Sequence, residues 1–247
     1  MPETSTARPG GADTAKRALR VLDVVGRSEQ PLMLEEVVRQ TGFGRSMTYR
    51  LLRALQEEEF LEHAPGGGYS VGGRLYSLAA AVLPSFDTDN AYLPLLQTIA
   101  AESGETCTLH RRVGASVVLV LGAESTLHPL RRVWTPGELT PVVRGSAGTA
   151  LLANLGQDEL TAVLDTLPAE ATSGVRERAA EARKLGYVLS FGANHPGVHG
   201  VATPVPGADL AVSVSGPGHR WTQERMTAFA PHLIELVHTF SRPAPRG

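Results

Sequence analysis

The 247-residue sequence holds a single cysteine, Cys107, so no disulfide can form within the chain. That excludes the disulfide-stapled secreted scaffolds and makes the reducing cytoplasm the expected location. No apolar run approaches the roughly 20 residues that span a bilayer, so no membrane partner is expected. The opening residues MPETSTARPGGADT lack the apolar stretch of a signal peptide, and residues 1–13 are expected to form a disordered tail. An excess of charge is missing too: 23 Lys and Arg stand against 25 Asp and Glu. Overall charge therefore does not announce a nucleic-acid binder, and any case for DNA rests on where the charges sit. What is present is a globular composition, 42% hydrophobic and 19% charged, long enough for two domains.

From Ala15 to Val25 the residues Ala18, Leu19, Leu22 and Val25 recur at helical spacing, with Lys16, Arg17 and Arg20 off that stripe. A short second helix, Leu34 to Gln40, is expected to bury Leu34, Val37 and Val38. The turn TGFGRS leads into a third helix from about Arg45 to Gln56. Two short helices joined by a glycine-containing turn form the helix-turn-helix pattern. On the third helix Thr48, Leu51, Leu52 and Leu55 would face a core. The opposite face carries Ser46, Tyr49, Arg50 and Arg53, with Arg45 at the N-terminal end. Arginines can fork onto guanine or grip phosphate, and hydroxyls bond phosphate oxygens. A solvated face usually mixes signs, and this one carries no acid, so Arg45, Ser46, Tyr49, Arg50 and Arg53 are the candidate DNA contacts.

FLEH and GYSV read as two short strands around APGGG, a wing hairpin without lysine or arginine at its tip. Leu75, Leu78, Ala79 and Val82 then stripe a connecting helix, which reads either as an ordinary packed helix or as an interdomain lever that also pairs with its copy in a dimer. The expected organisation is a winged helix-turn-helix over 14–72, a connecting helix over 73–85, a larger domain over 86–241 and a tail over 242–247.

The larger region mixes element types. A helix holds Leu93, Leu96, Ile99 and Ala100. ETCTLHRR, ASVVLVLGA and HPLRRVWTPG read as strands, SAGTALLANL and SGVRERAAEARKLG as helices, and YVLS, VHGVATPV and DLAVSVSG as further strands. Helices from about Thr222 to Phe240 close it. Without regular βαβ alternation this is an α+β domain around a central antiparallel sheet. Ser146 precedes a helix whose first amides lack partners; it either caps that helix or marks an anion site. Ser213 and Ser215, two apart on one strand, point to the same face.

These segments together resemble the IclR family of bacterial transcription regulators. ALRVLDVV, QPLMLEEVVRQTGFGRSMTYRLLRALQEEEFLEH and GGGYSVGGRLYSLA are similar to that family's DNA-binding domain. LPLLQTIAAESGETCTL, SAGTALLA, EARKLGYVLS, PGVHGVATPV and AVSVSGP are similar to its C-terminal domain. The resemblance implies a GAF-like effector-binding fold, dimers or tetramers, and effector contacts at Ser146, Ala147, Ser190, Gly200, Ser213 and Ser215. It departs from the family at Val38, where alanine is preferred, and at Thr149, often lysine. Gly192, Ala193, Asn194 and His195 replace the acidic residues usual before the PGV stretch.

Enzyme readings lose. RGSAGT lacks the glycine two residues before the serine of a nucleophile elbow. His195 and His199 have the four-residue spacing of a zinc pair, but Pro196 and Gly197 between them break a helix, so loop histidines are the favoured reading. No cofactor and no metal are expected. The sequence thus reads as a DNA-binding regulator, repressor favoured, acting as a homodimer or tetramer on double-stranded operator DNA and controlled by a small, carboxylate-like effector. The alternative is a metal- or small-molecule-binding protein whose N-terminal domain makes protein contacts.

Overall fold

The computed structural model describes residues 11–82 and 90–241. The chain divides into two compact units, between residues 86 and 87. Among the described residues no helix is long and apolar enough to cross a membrane.

The first unit runs α1 (Gly11–Gly26), α2 (Leu34–Thr41), α3 (Arg45–Glu57), β1 (Leu61–His63), β2 (Tyr69–Val71) and α4 (Gly73–Val82). Residues 11–13, expected in the tail, form the first turn of α1. The rest of that tail, residues 83–85 of the expected connecting helix and the tail 242–247 lie outside the described residues. Helix α2 starts where the Met33 amide donates to the Glu36 carboxylate at 3.0 Å. It ends at Gly42, whose φ of 72° is the left-handed conformation that glycine adopts without a Cβ penalty. The turn into α3 is further held by Phe43, on which the guanidiniums of Arg17 and Arg20 lie at 5.9 and 5.7 Å.

Val21, Val25, Val37, Leu52 and Leu61 form the centre of this unit's core, with Leu51, Leu55 and Tyr69 beside them. Two sequence expectations are corrected here. Leu19 is 64% exposed, and Val21 fills the place expected of it. The buried arc of α1 centres on Val21 and Val25, four residues apart, and Leu19 falls outside it. On α2 Val37 and, one turn on, Thr41 are buried, because a helix this short meets its neighbours along one line; Leu34 and Val38 flank it, half-buried. β1 and β2 pair antiparallel as the expected wing.

The second unit contains α5 (Leu93–Ser103), β3 (Thr106–Val113), β4 (Ser116–Ala123), β5 (Leu139–Pro141), α6 (Gly145–Ala153), α7 (Gln157–Asp165), α8 (Ala169–Thr172), α9 (Val175–Leu185), β6 (Val188–Phe191), β7 (Val198–Pro204), β8 (Leu210–Pro217) and α10 (Gln223–Ser241). Its six-stranded sheet has the order β5-β4-β3-β8-β7-β6. All neighbours are antiparallel, giving the α+β architecture with a central antiparallel sheet. Period-two alternation assigns the faces. Cys107, Leu109, Val201, Val212 and Val214 join α5 and α10 in one apolar layer. Ala202 and Ala211 face the other way and pack with α6, α7 and α9. The expected strand at HPLRRVWTPG does not form; only Leu139–Pro141 adds to β4. Pro129 and Pro136 remove ladder donors there, and Trp134 lies across Gly122. The chain closes with one helix, not several, which continues through Pro231.

Helix α6 sits flush on the preceding segment. A Cβ on Gly148 would fall 2.2 Å from the Val142 carbonyl oxygen, so only glycine allows this approach. Gly148→Ala must lift the helix, and overpacking of this kind costs about 1–3 kcal/mol. The urea-unfolding midpoint of the variant is expected to fall accordingly; an unchanged midpoint would contradict this seating of α6.

Candidate functional sites

The core residues of α3 fix which side faces out. Thr48 is fully buried, its hydroxyl donating to the Gly44 carbonyl at 3.2 Å, and Leu51, Leu52 and Leu55 are buried with it. Arg45, Ser46, Tyr49, Arg50 and Arg53 are all exposed. The face is less purely basic than the spacing suggested. Folding brings Glu35 of α2 onto Arg45, and Glu57 reaches back one turn to Arg53 at 2.9 Å. Arg50 carries no ion pair among the described residues. Exposed pairs like these are weak, so a phosphate can compete for both arginines.

In the second unit, strand register sets side chains in rows. One row across the sheet is Thr106, Ser215, Gly200 and Ser190; the next is Thr108, Ser213 and Ala202. Both rows lie on the face opposite the α5–α10 layer. The absence of a side chain at Gly200 leaves a floor, and a Cβ there would meet the hydroxyls of Ser215, Ser146 and Ser190 at 3.1, 3.2 and 3.3 Å. The six residues expected around an effector, Ser146, Ala147, Ser190, Gly200, Ser213 and Ser215, all line one cavity of about 40 Å³. Ser146 is not the helix cap: α6 begins at Gly145 with Arg144 preceding it, and no side chain caps it. Its first-turn amides are thus left for another partner.

Sequence reasoning missed other parts of the wall. Thr108, His110, Arg132 and Asn194 line the same cavity. Thr106, Thr108 and His110 alternate along β3, a period-two signal legible in TCTLH; Arg132 and Asn194 sit in irregular segments with no such signal. The segment before β7 closes over α6, with Arg144 donating to the Ala193 carbonyl at 2.6 Å. His195 bonds Glu138 at 2.9 Å, and His199, on β7 and not in a loop, bonds the Trp221 carbonyl at 3.1 Å. Among the described residues no three His, Cys, Asp or Glu side chains are placed to hold a metal. A larger groove of about 220 Å³ lies beside α9, lined by Thr149, Arg178 and Tyr187. Its polar groups do not converge: Thr149 bonds the Gly145 carbonyl and Arg178 that of Ser173.

The family model of the IclR helix-turn-helix domain matches residues 14–65, and that of the bacterial transcriptional regulator IclR C-terminal domain matches residues 80–242. This chain belongs to the IclR family. Its curated relatives include a probable transcriptional regulator, SauR, from Cupriavidus necator, 28% identical, with 92% of this chain and 96% of that one covered. The transcriptional repressor IclR of Escherichia coli is 26% identical, with 96% and 92% covered. Among solved structures, an IclR transcriptional regulator from Alicyclobacillus acidocaldarius superimposes with a TM-score of 0.67 at 26% identity, covering 92% of this chain and 97% of that one. As a member of this family the protein is a transcriptional regulator with a helix-turn-helix DNA-binding domain, and not an enzyme.

Inside the family's C-terminal domain, His110 is the cavity's most perturbed group. It shares a 2.9 Å hydrogen bond with the Thr108 hydroxyl. Burial, and to a lesser degree the positive charge of Arg132, push its imidazole from 6.5 down to about 3. A histidine held neutral in this way favours the fold above pH 6.5 and loses that contribution as the pH falls toward 3. The wild type is expected to lose up to about 1.4 kcal/mol of stability per pH unit through this group. His110→Gln removes that part of the slope. Unfolding free energies of both proteins between these limits test it, and equal slopes would contradict it.

Proposed function

We propose that this IclR-family regulator is a repressor that binds a two-fold operator through the exposed face of α3 and is controlled by a small organic acid in the cavity. The observation that carries the reading is the convergence of Ser146, Ser190 and Ser215 on the floor at Gly200, with Ser213 lining the same cavity, beside the uncapped start of α6. Helix-end amides suit a carboxylate, and hydroxyls serve as donors or acceptors. Repression is supported by similarity to the repressor IclR of Escherichia coli. The N-terminal match to a DNA-binding domain leaves no support for reading that unit as a protein-contact module.

Assembly as a homodimer or tetramer follows from what one recognition helix can read, a few base pairs. Helix α4 supports it: none of its described residues is buried within the chain, and Leu78 on its apolar stripe is 50% exposed. A stripe this apolar finds a partner in a second copy.

On the operator, Arg50→Ala is expected to cost about 1–3 kcal/mol and to relax specificity at one base position. Arg53→Ala weakens binding to all sequences alike, as loss of a phosphate contact does. Titration of labelled operator reads both effects and the stoichiometry, expected to be at least two chains per site. Unchanged affinity in a folded Arg45→Ala/Arg50→Ala protein would remove α3 from the interface, and one chain per operator would remove the dimer.

A further inference from the structure

Arg132 is the one residue whose side chain carries a buried nitrogen or oxygen without a hydrogen-bond partner among the described residues: its Nη1 atom. The same guanidinium uses Nη2 on the Glu138 carboxylate at 3.0 Å and on the His195 ring nitrogen at 3.3 Å, and its side chain is 12% exposed. A buried, charged donor left unpaired is costly, and such atoms call for a missing partner. Arg132 lines the cavity floored by Gly200.

The segment that delivers it is fastened at three points. Arg220 forms a two-pronged pair with Glu105, which is fully buried, at 2.6 and 2.9 Å. From that anchor its Nη2 also donates to the Leu130 carbonyl at 2.7 Å. The Thr106 hydroxyl, next in the polar row to Ser215, donates to the Arg132 carbonyl at 2.5 Å. Trp134 lies on Gly122 so closely that a Cβ there would come within 2.6 Å of the ring. A loop held in this way presents its arginine in one place, which is what recognition of a small ion requires.

We infer that Arg132 is the specificity-determining residue of the cavity, and that it selects a short carboxylate carrying a second polar group. This rests on the proposed effector pocket and narrows its ligand. The unpaired Nη1 of this guanidinium can donate to a carboxylate oxygen. The remaining walls are mostly polar, offering Ser146, Ser190, Ser213, Ser215 and Thr108, so a second hydroxyl or oxo group is satisfied and a purely apolar body is not. The cavity of about 40 Å³ admits only a small molecule without movement of its walls.

The test is calorimetric titration of the full chain with lactate, lactamide, propionate and benzoate at constant ionic strength. Lactamide keeps the skeleton and removes the charge; propionate keeps the charge and removes the hydroxyl. Lactate is expected to bind, propionate more weakly and lactamide not at all. Arg132→Gln should weaken lactate by about 10- to 100-fold, and Arg132→Lys should recover part of the loss. Thermal unfolding of both variants without ligand checks that they fold; a misfolded Arg132→Gln protein transfers the test to the lysine variant and the lactamide comparison. Failure of lactate to bind, equal binding of lactamide, or undiminished binding by a folded Arg132→Gln protein overturns the inference. If benzoate or lactamide binds instead, and Ser213→Ala/Ser215→Ala abolishes that binding, the pocket stands and only Arg132's role falls. If a probe binds and the serine variant binds it unchanged, the pocket reading falls as well.

Discussion

A slip of one residue between β3 and β8 would carry Ser213 and Ser215 out of the cavity and into the apolar layer under α5 and α10. The pairing of Thr108 with Ser213 and of Thr106 with Ser215 is therefore the constraint on which the site depends. It is enforced by the other face of the same strands. Cys107, Leu109, Val212 and Val214 are fully buried, and the same one-residue slip would turn them from the apolar layer to the polar face. The apolar residues that stabilise the sheet thus also aim the polar residues that line the cavity. Gly200, placed by β7 beside Ser215, turns a packed surface into a floor.

The first unit works by the same logic at helical period. Thr48, Leu51, Leu52 and Leu55 seat α3, and their burial decides that Arg50 points outward. Periodicity made this legible in the sequence, as it did the wing, the connecting helix and most strands of the second unit. The alternation in AVSVSGP showed that two serines share a face. What could not be read was long-range. Nothing local announces that Glu35 would meet Arg45, or that a loop interrupted by Pro129 and Pro136 would deliver Arg132 rather than form a strand. The six residues expected around an effector include no arginine; the fold supplies one from an irregular segment, where no period exists to betray it. Leu19 failed for a smaller reason, since an apolar residue one step off the buried arc of α1 looks the same in a pattern.

Family membership joins these two units into one regulator, a helix-turn-helix DNA-binding domain followed by the family's C-terminal domain. The physical content of control, in the proposed reading, is a difference in ligand affinity between DNA-bound and free protein. A ligand that binds both equally shifts nothing, however tightly it is held. A cavity lined by hydroxyls and one unpaired guanidinium nitrogen is suited to such a difference, because small displacements of α6 or of the segment carrying Arg132 change how many hydrogen bonds a ligand can make there.

The measurement that tests this most directly is operator affinity with and without a saturating acid, paired with acid affinity with and without operator. Coupling of about 1–3 kcal/mol would shift operator affinity by roughly 5- to 150-fold, and thermodynamic linkage requires the same factor in the reverse titration. The account predicts that shift in the wild type and its loss in Ser213→Ala/Ser215→Ala. An acid that fills the cavity and leaves operator affinity unchanged would contradict it.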